Sequence, residues 1–179
     1  MKFTQNEFIG KLEKSLEGSY ECSSGAGNKN RLNVSLREVV RNKRPWPDLA
    51  LWQKNKDRHL SSWVGYVEFD GAGATTMSNV VKYWFHIEHL CGLENYPKKV
   101  VLFHILGGGY ALEGKQGKQD NYVFYREAAR DMAERMERFI KKIEFEYIPI
   151  LLNSKDDVNS SVQKTIQTIN KSTCNQKRF

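Results

Sequence analysis

The sequence has few cysteines, and their positions build nothing. Cys22, Cys91 and Cys174 are far apart and odd in number. No pair has zinc-ligand spacing, so neither a disulfide framework nor a structural zinc site is indicated, and free thiols are expected. Also missing is any apolar run approaching the ~20 residues of a membrane span. The start, MKFTQNEFIGKLEKSLEG, mixes charged and apolar residues and lacks a signal-peptide core. A soluble, cytoplasmic protein is the expectation. There is no internal repeat and no sign of a second domain, so residues 1–179 read as one domain. What is present suits a globular fold: 40% hydrophobic residues and 12% aromatics exclude a disordered chain.

Acidic residues are the scarcer charge. The net charge is +7, and most of the excess falls in one stretch. Between residues 29 and 58, Lys29, Arg31, Arg37, Arg41, Lys43, Arg44, Lys54, Lys56 and Arg58 face only Glu38, Asp48 and Asp57. A concentrated basic patch is what a phosphate backbone requires.

Along the chain, Phe8, Leu12 and Leu16 have helical spacing over residues 4–17, with Thr4 as a cap and Gly18 as a stop. SSGAGNKN reads as a loop. LNVSLREVV (32–40), DLALW (48–52) and WVGYVEF (63–69) read as three successive strands, a meander. A helix runs from Thr75 or Thr76 to about Leu90, burying Val80, Trp84 and Ile87. KKVVLFHIL is a near-continuous apolar run, as in a buried central strand. Residues 121–142 form the clearest helix, with Ala129, Met132, Met136, Phe139 and Ile140 as its stripe. FEYIPILL is a fifth strand, and Pro149 marks it as an edge or a bulge. A mostly polar last helix covers about 156–171, before a frayed tail. Strands that alternate with helices imply parallel crossovers. The fold class is α/β: a mixed sheet of about five strands flanked by helices.

Carboxylates carry the chemistry. VGYVEFDGAG places Glu68 and Asp70 two apart at the end of a strand, on one face and roughly 6.5–7 Å apart. PWPDLALW places Asp48 on the preceding strand, about 4.8 Å away laterally. Three such acids repel one another unless a cation intervenes, and hard ions such as Mg²⁺ take oxygen ligands of this kind. An ordinary turn pair, Asp-Gly, also accounts for Asp70. Glu68 sits inside an apolar strand, where an unpaired carboxylate is costly.

A Pro-Asp, a spacer and an acid-x-lysine on the next strand resemble the pattern of PD-(D/E)XK nucleases. The predicted element order over roughly residues 4–107 is similar to the core of their restriction-endonuclease-like fold. The resemblance implies a metal-dependent endonuclease. Asp48, Glu68 and Asp70 would hold Mg²⁺ or Mn²⁺, and nucleic acid, with DNA favoured, would be the substrate. Position 70 departs from the family, which has lysine there. Some members carry an acid at that place, and others take the lysine from the following helix, where SNVVKYW offers Lys82. Asn79-x-x-x-Tyr83 looks like the Gln-x-x-x-Tyr signature of RecB-like nucleases, with Asn for Gln. The catalytic candidates are therefore Asp48, Glu68, Asp70 and Lys82. The nucleic-acid candidates are Arg41, Lys43, Arg44, Lys54, Lys56, Arg58, Asn79 and Tyr83. Cutting both strands of a duplex would favour a homodimer. The alternative is a nucleic-acid-binding protein on the same fold that has lost catalysis, supported by Asp70 in the lysine position.

Other features point elsewhere. GYALEGKQ (109–116) reads G-x-x-x-x-G-K, but Gln116 replaces the Ser or Thr of a Walker motif, so a mobile loop is expected. His86 and His89 are three apart without an evident third ligand, and His59 and His104 suggest no site. Trp46, between two prolines in the basic stretch, has a face suited to stacking on a base.

Overall fold

The computed structural model describes residues 3–24, 47–54, 63–70, 75–90, 98–107, 119–152 and 156–174. These form α1 (Gln5–Leu16), β1 (Tyr20–Ser24), β2 (Leu49–Gln53), β3 (Trp63–Asp70), α2 (Thr75–Leu90), β4 (Lys99–Leu106), α3 (Gln119–Phe139), β5 (Glu144–Leu151) and α4 (Val158–Cys174). The sheet has the order β1-β2-β3-β4-β5. β1, β2 and β3 are antiparallel neighbours, and β3, β4 and β5 run parallel. The mixed sheet flanked by helices is as the sequence pattern predicts. Pro149 lies on β5, which is at the edge of the sheet among the described strands, as expected of a residue without a ladder N–H. Among the described residues, no helix is long and apolar enough to cross a membrane.

Three layers follow from the apolar patterning. On one face, α1 and α4 bury Phe8, Leu12, Leu16, Val162 and Ile169 against Leu49, Leu51, Val67, Phe69, Val101 and Phe103. On the other, α2 and α3 bury Val80, Tyr83, Ile87, Ala129 and Met136 against Ala50, Tyr66, Val100 and Leu102. Thr4 caps α1 as predicted, its Oγ1 accepting from Glu7 N at 3.2 Å. At the other end, Lys54 Nζ donates to the carbonyls of Glu17 and Gly18 at 2.7 and 3.1 Å. A cation on the last carbonyls of a helix suits its macrodipole.

Three expectations need correction. A strand at Tyr20–Ser24 pairs with β2, where no strand was read and the loop was taken to begin at Ser23. It is five residues long, and Tyr20 and Cys22 pack against the core, so its apolar signal is short. The strand predicted at 32–40 lies outside the described residues. On α3 the buried stripe is Ala129, Ala133, Met136 and Ile140, while Phe139 is 69% exposed and stacks on Trp84 at 6.5 Å. Spacings of four, three and four keep that stripe on one line, and Phe139 falls beside it. Trp84 is only half-buried; Tyr83, not predicted as core, takes the inward position.

A register shift sets the phase of β3. Leu51 pairs with Gly65 and Trp52 with Trp63, so Val64 is an extra residue. Val64 packs on the α1/α4 side with Val67 and Phe69. From Tyr66 onward, even-numbered residues face α2 and α3, which sends Glu68 and Asp70 to that side.

Gly65 of β3 packs directly against the Val101 backbone of β4. A Cβ there would stand 2.2 Å from the Val101 carbonyl oxygen, whereas one at Gly10 on α1 meets nothing within 4 Å. Gly65→Ala is expected to destabilise by about 1–3 kcal/mol through overpacking. Gly10→Ala, in a helix interior, should stabilise by roughly 0.5–1 kcal/mol. Urea unfolding of the two variants checks the opposite signs.

Candidate active site

The site is built at the C-terminal end of β3. Strand alternation sends Glu68 and Asp70 to the same face, and both are buried, at 4% and 6% exposure. Neither can reach water freely, so each needs donors from the protein. α2, which follows β3 and packs on that face, supplies most of them.

Lys82 Nζ lies 2.6 Å from Glu68 Oε1, and the Tyr83 hydroxyl donates to the same oxygen. Both bonds fall on Oε1, so the described network leaves Oε2 unused. Asn79 Nδ2 donates to both oxygens of Asp70, at 3.1 and 3.2 Å, and its Oδ1 accepts from Lys82 at 3.3 Å. Positions 79, 82 and 83 are three and four apart, which puts them on one helix face. His104 of β4 approaches Asp70 from the sheet, Nε2 to Oδ2 at 2.7 Å. Its Nδ1 is 3.0 Å from the Tyr147 hydroxyl of β5.

Asp48 precedes β2, and Leu49 pairs with Val67, so Asp48 stands beside Glu68. Its Oδ2 accepts from Phe69 N at 2.8 Å and its Oδ1 from Gln5 Nε2 of α1 at 2.7 Å. Asp48, Glu68, Asp70 and Lys82 thus lie near one another at the end of β3. Asn79 and Tyr83 join them in an unexpected role. Tyr83, anticipated at a nucleic-acid surface, is fully buried and holds Glu68 instead.

Electrostatics ties the group together. Burial raises the Asp48 carboxyl from its ordinary value, opposed by the Phe69 N–H, Gln5 and the Lys82 charge, and reinforced by Asp70. Glu68 is pushed up to about 7, first by burial and then by the charge of Asp48, against the pull of Lys82. Burial and the Glu68 charge raise the Tyr83 phenol well above its ordinary value, so it stays a donor.

Of the other candidates, Lys54 is exposed and engages the end of α1. Arg41, Lys43, Arg44, Lys56, Arg58, Trp46, His59, the 109–116 loop and the side chains of His86 and His89 lie outside the described residues. Gln5, His104 and Tyr147 were not foreseen as members of the site. The only signal was His104 itself, an ionisable side chain within an apolar strand. Among the described residues, no three His, Cys, Asp or Glu side chains form a group that could hold a metal ion. No family model, curated protein or solved structure matches this chain.

The raised Glu68 carboxyl gives a pH dependence. Its ordinary value is 4.5 and its folded value about 7. Between these, the folded state binds more protons than the unfolded one, so stability falls as pH rises. The contribution is complete below about 4.5 and lost as pH passes through about 7. The loss is on the order of 3 kcal/mol. In metal-free protein, Glu68→Gln is expected to flatten the decline between pH 5 and pH 8, and urea titrations at the two values check it.

Proposed function

We propose that this chain is a metal-dependent nuclease with a restriction-endonuclease-like core, hydrolysing phosphodiester bonds, with DNA the favoured substrate. The observation that carries the reading is Lys82 on Glu68 at 2.6 Å, beside Asp48 and Asp70. That is the acid-and-lysine grouping the sequence resemblance implies, with the lysine coming from α2 instead of position 70.

The reading takes Mg²⁺ or Mn²⁺ as its cofactor, ions that prefer oxygen ligands. All three side chains are carboxylates, and Mg²⁺ is commonly held by one or two of these plus several waters, without an all-protein cage. Glu68, pushed up to about 7 by burial and by Asp48, is a carboxyl that a cation would return to its charged form. Asp48 and Glu68 would hold the ion, with Asp70 the third candidate. When bound, such an ion supplies Lewis acidity and lowers the pKa of a coordinated water.

The chain's own residues have defined tasks on this reading. Gln5 and the Phe69 N–H fix the Asp48 carboxylate. Tyr83 holds Oε1 of Glu68, which keeps the side chain in one orientation. Lys82, 29% exposed, brings a positive charge to the edge of the group, where it offsets charge developing on a phosphoryl oxygen. The basic residues between Lys29 and Arg58 supply charge for a polyanionic backbone.

A second reading is a nucleic-acid-binding protein without catalysis. What favours it is Asp70, an acid at the family's lysine position whose oxygens already accept from Asn79 and His104.

Incubation of purified protein with plasmid and single-stranded DNA, with Mg²⁺ or Mn²⁺, distinguishes the two. The nuclease reading predicts metal-dependent cleavage that Asp48→Asn combined with Glu68→Gln abolishes. Lys82→Ala should slow it by roughly 10²–10³-fold, the scale for removing one charge-stabilising group. Cleavage that survives the double substitution overturns the assignment. Salt-sensitive binding without cleavage supports the second reading.

A further inference from the structure

We infer that the outer edge of α3 pairs with the same edge of a second copy of this chain, antiparallel and about a two-fold axis. The inference does not depend on the nuclease reading.

Phe124 is 62% exposed, and Phe139 is more exposed still. Apolar side chains scattered singly over a surface are ordinary, but these two share one face of a helix. Positions 124, 128, 131, 135 and 139 follow at steps of four, three, four and four, which makes one stripe. That stripe is separate from the buried one of Ala129, Ala133, Met136 and Ile140. Ala128 is small and half-buried, so it leaves room for the close approach of another helix. At the end of the stripe, stacking on Trp84 holds the Phe139 ring in place.

Exposed charges fill the middle of the stripe. Elsewhere on α3, Arg126, Arg130 and Arg138 pair with Glu127 and Glu134. Asp131 and Arg135 are four apart, the spacing of a helical ion pair, yet among the described residues neither forms one.

The order aromatic, acid, base, aromatic is its own complement. Phe124 and Phe139 are about 22 Å apart along the helix axis. Antiparallel pairing centred between Asp131 and Met132 sets Phe124 of each copy against Phe139 of the other. Asp131 then lies about 4.5 Å along the axis from Arg135 of the other copy, within reach of its side chain. The two-fold axis makes each of these contacts twice. A helix of 21 residues is about 30 Å long and 10–12 Å wide. A contact of that size falls below the ~800 Å² per partner of a standard complex, so the dimer is weak and concentration-dependent. α3 follows β4 and leads into β5, so it begins at the sheet end that holds Glu68 and Asp70. Antiparallel pairing therefore sets the two acid groups at opposite ends of the dimer and does not align them on one duplex.

The test is sedimentation equilibrium of the full chain from about 5 to 500 μM, with circular dichroism to check that each variant folds. The wild type should show a monomer–dimer equilibrium within that range. Phe124→Ser should weaken it roughly tenfold or more. Asp131→Arg alone, or Arg135→Asp alone, sets like charges against each other in both pairs and should also weaken it roughly tenfold or more. The two reversals combined restore opposite charges across the axis and should return the affinity to near wild type. The charge variants carry the test alone if Phe124→Ser does not fold. A chain that stays monomeric throughout overturns the inference, and so does a dimer that neither Phe124→Ser nor a single reversal weakens. A monomeric wild type whose Tm falls on Phe124→Ser shows that a segment of the same chain covers this face, which overturns it as well.

Discussion

A carboxylate buried at the end of a central strand has to find its donors inside the protein, and β3 ends in two of them. The apolar strands on either side offer little, so most of the donors come from the helix that follows. This requirement dictates much of the local structure. α2 must lie over the end of β3 with positions 79, 82 and 83 turned inward, and its apolar residues Val80 and Ile87 must share that orientation. Tyr83 meets both demands. Its ring lies 4.3 Å from that of Tyr66 in the core, and its hydroxyl reaches Glu68. Burial of the helix and satisfaction of the acid are one packing decision.

The charge balance at this point differs from the rest of the molecule. Lys99 bridges Glu144 and Glu146 at 2.7 and 2.8 Å, but those acids are exposed, and pairs of that kind contribute at most about 1 kcal/mol. The Lys82–Glu68 pair sits where the carboxylate is almost wholly desolvated. The Lys82 ammonium acts on Glu68 and Asp48, and it does not offset their burial and mutual repulsion. The carboxyl of Glu68 at about 7 expresses that imbalance. A proton on Glu68 relieves it.

How much of this was legible depended on whether the signal was local. Apolar periodicity marked β3, β4, α2 and α3, because each buries a continuous stripe. It missed β1, whose five residues are too few to form one, and it misjudged Phe139, which flanks the stripe of α3. Glu68 stood out because a carboxylate inside an apolar strand needs an explanation. Lys82, Asn79 and Tyr83 were readable because helical spacing links them. Gln5 is 43 residues from Asp48, and Tyr147 is 43 residues from His104. No spacing rule connects such pairs. They meet only because α1 packs near the start of β2 and because β4 and β5 pair in a particular register, with His104 opposite Pro149.

Position 70 gains meaning from these long-range partners. Read locally, Asp70 was a turn residue, a ligand or the trace of a lost lysine. In the fold it is buried, and its oxygens accept from His104 and Asn79, which is more than a turn residue requires. A lysine in its place would set an ammonium against the donor groups of both partners, so the surroundings are built for an acid. On the nuclease reading, the positive charge that the family carries on this strand has moved to α2, where Lys82 reaches Glu68 from the helix side. Asp70, His104 and Tyr147 form one hydrogen-bonded row across three strands. The departure at position 70 is matched by its neighbours, which argues for an acid with a task there over the remnant of an abandoned site.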